Sequence, residues 1–345
     1  MSGQSKWNWK MLSEYRLQLY GISIISVIIY HYFSYVVSAY PDSGFGKVLN
    51  CYNIFIGSIG VEIFLFLSGM GLYFSMSRNS EIKQFYRKRF QRVLIPYLLW
   101  GGVYWVWKDI LIFHTSARRF LLDYSTLSLW LKGDKSMWYV NFIIMMYLLF
   151  PVLFGFLRKE SSHRGLFTAM LTCGIFGMTI ALRFILPNVY HHIEIELYRI
   201  PVFILGVYYG QAVAEKKEIS KIDISLMIFG ILAKIAYFLG DFLGVRYLNK
   251  IPIRLVQCFA CLILMFLFAE LGKKCMNTKC NTVLTFCGKH SFELYITHAG
   301  LIHIIKGYGL AIYEIQSYLI CIIGSVLFSI ALNKLTDRIL QAIKT

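Results

Sequence analysis

Three titratable side chains stand inside long apolar stretches of this chain: His31 after Ile28-Ile29-Tyr30, Glu62 in Gly60-Val61-Glu62-Ile63-Phe64, and His298 in Tyr295-Ile296-Thr297-His298. An ionisable group within a membrane-length segment costs several kcal/mol, so each is a candidate for function. An imidazole can take and return a proton near neutral pH, and a carboxylate beside it would orient the ring and stabilise its charged form. The chemistry this suits is general-base activation of a hydroxyl where water is scarce. Plainer readings stand beside it. His31 could be an interfacial imidazole bonded to a carbonyl, and Glu62 a structural ion pair or a protonated acid bonded to a neighbouring helix.

Spacing favours a shared depth. His31 follows Arg16 by fifteen residues, about 22 Å along a helix. Glu62 reaches nearly that level from the opposite direction, and His298 lies in the same half of its own span, with Glu293 lower. His303 reads as interfacial.

A second group is cationic. Six Lys and Arg residues lie between Arg78 and Arg92, ending in Arg89-x-x-Arg92-x-x-x-Pro96. Arg89 and Arg92 share a helix face. Their forked guanidinium groups suit the phosphates of a nucleotide-like donor; the alternative is snorkelling to lipid phosphate. Pro96 is expected to kink its helix.

Smaller signals remain. Trp138 and Tyr139 open an apolar run as a pocket wall or an aromatic belt. His191, His192, Glu194, Glu196 and Arg199 form a polar patch that reads as a solvated loop before a metal site, with Arg183 placed to pair with Glu194 or Glu196. Ser68-Gly69-Met70-Gly71 reads as a surface for close helix packing. Cys258-x-x-Cys261 without a second pair reads as packing, and no metal is expected. Cys275, Cys280 and Cys287 fall where thiols stay reduced.

The elements that must hold these residues are transmembrane helices. The 345 residues are 57% hydrophobic and 15% charged, where a soluble domain carries about a quarter charged. Apolar runs predict an all-α, polytopic integral membrane protein with about ten spans: 18–39, 53–76, 92–113, 138–157, 166–187, 198–214, 222–243, 252–271, 284–305 and 310–333. One domain, 1–345, without internal repeats is expected. The polar start through Arg16 does not read as a cleaved leader.

With the N-terminus inside, 21 of the 35 basic residues fall on inside segments, from Lys6, Lys10 and Arg16 through Lys159 to Lys344. Both termini are therefore expected in the cytosol. The same bias accounts for the net charge of +17 without nucleic acid as a partner.

In this order and spacing the residues resemble the membrane acyltransferase-3 family, which O-acylates bacterial surface glycans. The resemblance covers essentially the whole chain. It rests on His31, on Gly60-Val61-Glu62-Ile63-Phe64 running into Leu67-Ser68-Gly69, and on Arg89-x-x-Arg92-x-x-x-Pro96. It continues through Trp138-Tyr139 with Tyr147 and Pro151, Arg199-x-x-x-Phe203-x-x-Gly206, and Ser291-Phe292-x-x-Tyr295-x-x-His298.

The resemblance implies a stand-alone enzyme of the bacterial cytoplasmic membrane. It would move an acyl group, acetyl in the first instance, from cytosolic acyl-CoA as co-substrate to a surface or lipid-linked glycan, with no permanently bound cofactor. It implies His31 as general base oriented by Glu62, and Arg89, Arg92 and Arg16 as donor-binding residues. It further implies a pocket of Tyr20, Ser68, Trp138, Tyr139, Arg199, Ser291, Tyr295 and His298. Two positions depart from the family pattern: Tyr20 stands where a basic residue is usual, with Arg16 one turn earlier, and Ile143 stands where some branches place an acid. The residues alone also admit a glycan or small-solute transporter, or a silent assembly partner.

Overall fold

A computed structural model describes residues 7–158, 163–242 and 250–343, with side chains described outside 241–242 and 250–255. Lys6, Lys159 and Lys344 of the charge count, and the last residue of the span expected at 222–243, lie outside the described residues. The described chain is helical, with one isolated β-bridge between Asn8 and Glu218.

The helices are α1 (Lys10–Glu14), α2 (Arg16–Ala39), α3 (Gly44–Phe55), α4 (Gly60–Arg78), α5 (Ile82–Trp105), α6 (Ala117–Tyr124), α7 (Ser128–Lys132) and α8 (Trp138–Leu157). They continue as α9 (Arg164–Ile185), α10 (Pro187–Leu197), α11 (Ile200–Ala214), α12 (Lys221–Phe242), α13 (Lys250–Cys275), α14 (Lys279–Lys289), α15 (Ser291–Gly307) and α16 (Ile315–Ala342).

Among the described residues, seven stretches are long and apolar enough to cross a bilayer. They are Arg16–Ala39, Gly44–Arg78, Trp138–Leu157, Arg164–Ile185, Lys221–Gly240, Val256–Cys275 and Ile315–Ala342. The chain is an all-α polytopic membrane protein; its described residues hold about seven such candidates, where the sequence predicts about ten spans.

The three that fall short have physical reasons. The run at 92–113 belongs to a helix that starts at Ile82, inside the basic block. The span at 198–214 is the fifteen-residue α11. The one at 284–305 is broken at His290 into α14 and α15, eleven and seventeen residues long. A helix crosses about 30 Å of hydrocarbon with roughly twenty residues; α11, α14 and α15 are shorter, and α5 has the length, at 24 residues, but spends its first half on the basic block.

Glycines set how closely the helices approach. A Cβ at Gly69 would fall on the Phe203 carbonyl oxygen, and one at Gly206 on that of Phe66. Gly21 and Gly288 do the same between α2 and α14, against Leu284 and Leu17. In a bundle without a hydrophobic driving force between helices, such close backbone approach supplies much of the attraction.

The stretch from Gly44 to Arg78 is interrupted by a 3-10 turn at Gly57–Ile59. Its loosened carbonyls find partners on the α12–α13 pair. Lys234 donates to the Ile54 carbonyl at 2.5 Å and to the Ser58 hydroxyl at 3.1 Å, and Gln257 donates to the Ser58 carbonyl at 2.5 Å. Lys234 is 1% exposed, so a buried ammonium closes the break that precedes Glu62. A polar group left unpaired in such a setting would cost several kcal/mol.

Candidate active site

His31 on α2 and His298 on α15 meet face to face, with ring centroids 5.4 Å apart and planes 7° from parallel. His298 is buried, and its Nε2 lies 3.1 Å from the Tyr318 hydroxyl of α16. That hydroxyl already donates its one proton to the Ile28 carbonyl. It therefore accepts from His298, which assigns the proton to Nε2. The Nδ1 of His298 is then the acceptor, 3.6 Å from the Cys321 sulfur. His31 is held differently: its Nδ1 is buried with no hydrogen-bond partner.

Glu62 does not supply the partner expected for His31. It is 6% exposed in the first turn of α4, and its Oε1 pairs with the Arg199 Nε at 3.6 Å. Its second oxygen is buried without a hydrogen bond.

Arg199 is the N-cap residue of α11, whose first turn carries Pro201, a residue preorganised for a helix start. Its guanidinium donates to the Ile195 carbonyl at 2.8 Å and lies over the Trp138 ring at 4.7 Å. The Gly69–Gly206 approach of α4 and α11 brings this pair together. Glu62, Arg199 and Trp138 thus form one group, and His31, His298, Tyr318 and Cys321 another.

Toward the basic end of the bundle lies a cavity of about 660 Å³. Arg16, Arg89, Arg92 and Lys289 line it, with Glu293 and Asp337 as its acids. The Arg89 Nε is buried without a hydrogen-bond partner. Tyr20, Ser68, Tyr139, Ser291 and Tyr295 line it too. Tyr20 stacks on Phe64 at 5.7 Å, while Tyr139 lies 4.8 Å from Tyr295 and 6.5 Å from Phe64. These aromatic rings line the cavity on the side of Tyr295, toward His298.

Of the residues singled out in the sequence, Arg16, Tyr20, Ser68, Arg89, Arg92, Tyr139, Ser291 and Tyr295 therefore share one cavity. His31, Glu62, Trp138, Arg199 and His298 lie beyond its lining. Tyr295 joins the two regions, because it sits three residues before His298 on α15. Ile143 lines the cavity and is buried.

Four residues of the deep region were not anticipated: Tyr318, Cys321, Lys234 and Gln257. Lys234 carried a visible signal, an ionisable group in the middle of the run at 222–243. Tyr318 and Cys321 carried none, since either is ordinary in an apolar helix.

Two other members of the polar patch, His192 and Glu194, are engaged away from this site. The His192 Nδ1 lies 3.0 Å from the Trp130 carbonyl and Glu194 accepts from Lys135 at 2.9 Å. Among the described residues no three His, Cys, Asp or Glu side chains gather as a metal site.

Residues 19–334 match the acyltransferase domain that defines the acyltransferase-3 family, and the chain belongs to that family of membrane acyltransferases. No curated protein and no solved structure matches it.

Proposed function

We propose that this membrane acyltransferase takes an acyl group, acetyl in the simplest case, from cytosolic acyl-CoA. It passes the group to a hydroxyl of a surface polysaccharide or lipid-linked glycan in a bacterial cytoplasmic membrane. The observation that carries this reading is the cavity running from Arg16, Arg89 and Arg92 to an aromatic end one helical turn below His298. The basic end faces the cytosol on this reading, with both termini there. Arginine forks at the mouth suit donor phosphates, and an aromatic interior suits the uncharged arm and shields a thioester from water.

The reaction needs one base. The buried Nδ1 of His31 takes the proton of the acceptor hydroxyl as its oxygen attacks the thioester carbonyl. The new O–C bond forms, the C–S bond breaks, and the proton passes from the imidazolium to the departing CoA sulfur. His298, with its Nε2–H committed to Tyr318, fixes the position of the His31 ring by stacking. Glu62 acts on Arg199 rather than on His31. Together with Trp138 they form a polar and aromatic surface suited to a glycan arriving from the far side.

Protein purified in detergent has no membrane to move a solute across, which separates enzyme from transporter. Incubated with radiolabelled acetyl-CoA and a lipid-linked or soluble glycan, it should place label on the glycan. Glycan movement across proteoliposomes with no covalent transfer in detergent would replace this reading with a transport one.

A further inference from the structure

A second chamber, of about 480 Å³, opens beside the main cavity where α4 ends and α5 begins. Arg16, Gly71 and Arg89 line both, so the two spaces meet at a pair of arginines. Beyond that junction the side chamber is lined by Arg78 and Lys88, with Ser75, Asn79 and Gln84 supplying hydrogen-bonding groups and Phe74 a ring. No carboxylate lines it. Four cations gathered without an acid repel one another unless an anion joins them.

The wall is built rather than incidental. The Asn79 side chain donates to Gln84 and accepts from the Glu81 backbone N–H at 2.9 Å, which fixes the turn joining α4 to α5. Next to Gln84 on α5, Phe85 is buried in a stack on Phe150 at 5.3 Å.

Resting on the proposed function, we infer that this side chamber holds the 3′-phosphorylated ADP end of the donor, with Arg78 and Lys88 as its phosphate contacts. The main cavity then holds the pantetheine arm and the thioester, with Arg16 and Arg89 at the junction turned to the diphosphate. The charges agree: a phosphomonoester and a diphosphate bridge bring about four negative charges to four cations. The linings agree as well. From Tyr147 to Tyr139 the main cavity follows α8 for about 12 Å, with Phe64, Tyr20 and Tyr295 as further rings suited to an uncharged arm. The charged end of the donor then sits at the arginine junction, where the polar side chamber opens. Phe74 offers the adenine a face.

The experiment compares two donors on full-length protein in detergent: acetyl-CoA, and acetyl-pantetheine, which carries the same thioester and no nucleotide. Wild-type protein should show a markedly lower KM for acetyl-CoA. R78Q and K88Q should each raise that KM about tenfold, the loss of one charge-assisted phosphate contact, and leave the KM for acetyl-pantetheine in place. Adenosine 3′,5′-bisphosphate should compete with acetyl-CoA, less well in both variants, and R78K and K88R should restore it in part. Equal KM values for the two donors in wild type, or a parallel rise for both in the variants, would overturn the assignment and leave the acyltransferase reading standing. Variants that lose binding to phosphatidylglycerol vesicles while keeping their KM for acetyl-CoA would mark the chamber as a lipid phosphate site and overturn it too. Transfer from neither donor would remove the proposed function itself, and this inference with it.

Discussion

Two stacked imidazoles divide their roles by what their nitrogens touch. His298 is fixed through Tyr318, whereas His31 keeps a buried Nδ1 unbonded. On the proposed reading, H31A lowers kcat by about 10²–10⁴, the usual worth of a general base. Unchanged turnover would remove His31 from the mechanism. Y318F deletes the acceptor for the His298 Nε2–H and leaves that proton buried and unpaired. It should cost about 1–3 kcal/mol of stability, read as a lower unfolding midpoint in detergent. Another residue speaks through pH. Glu196 on α10 is 1% exposed with neither oxygen bonded, and burial pushes its carboxyl up to about 8. In the unfolded chain that proton leaves at about pH 4.3, so between those values the folded form binds more protons. Stability therefore falls as pH rises through this window and levels above it. The Tm of wild-type protein should drop between pH 6 and 8.5, and E196Q should flatten that drop; equal slopes would place the pH dependence elsewhere. At this scale the candidates His31, Glu62 and His298 were legible because a charge in an apolar run is conspicuous. The partners were not. Glu62 looked to be the companion of His31 from matched depth alone, and depth says nothing about which way a helix face turns.

The helices explain why Glu62 goes to Arg199 instead. Gly69 and Gly206 let α4 and α11 approach until each glycine lies against the backbone of the other helix. A methyl at either place must push the helices apart, an overpacking cost of about 1–3 kcal/mol. G206A should therefore lower the unfolding midpoint and, by parting Glu62 from Arg199, reduce activity beyond what the lost stability explains. Activity recovered fully at low temperature would tie the glycine to folding alone. The small-residue stretch at 68–71 was readable, and so was α8, which starts and ends as the sequence predicted. The interruptions at Gly57–Ile59 and His290 were hidden, because a helix can break inside an apolar run without any change of composition. The first break is closed by Lys234 and Gln257, side chains about 180 and 200 residues away in sequence, and local pattern carries no trace of such distant partners.

At the level of the whole molecule, the sequence disclosed the membrane class and the basic end, both bulk properties. It did not disclose that this basic end contains two joined chambers, since a cavity is defined by how helices from every part of the chain close on one another. If the arginine mouth receives the donor, R89A and R92A should raise the KM for acyl-CoA and leave kcat little changed. A fall in kcat at constant KM would contradict that role. The mouth of the main chamber has a further consequence, because Arg16 and Arg89 stand where it joins the side chamber. A donor that enters between these arginines leaves between them as well. Under the proposed chemistry, the spent thiol must back out past the arginines before a fresh thioester can enter. Free CoA would then contend with its own charged form at every glycan concentration. The turnover of the protein would follow the ratio of charged to spent carrier in the cell, making surface decoration an index of metabolic supply.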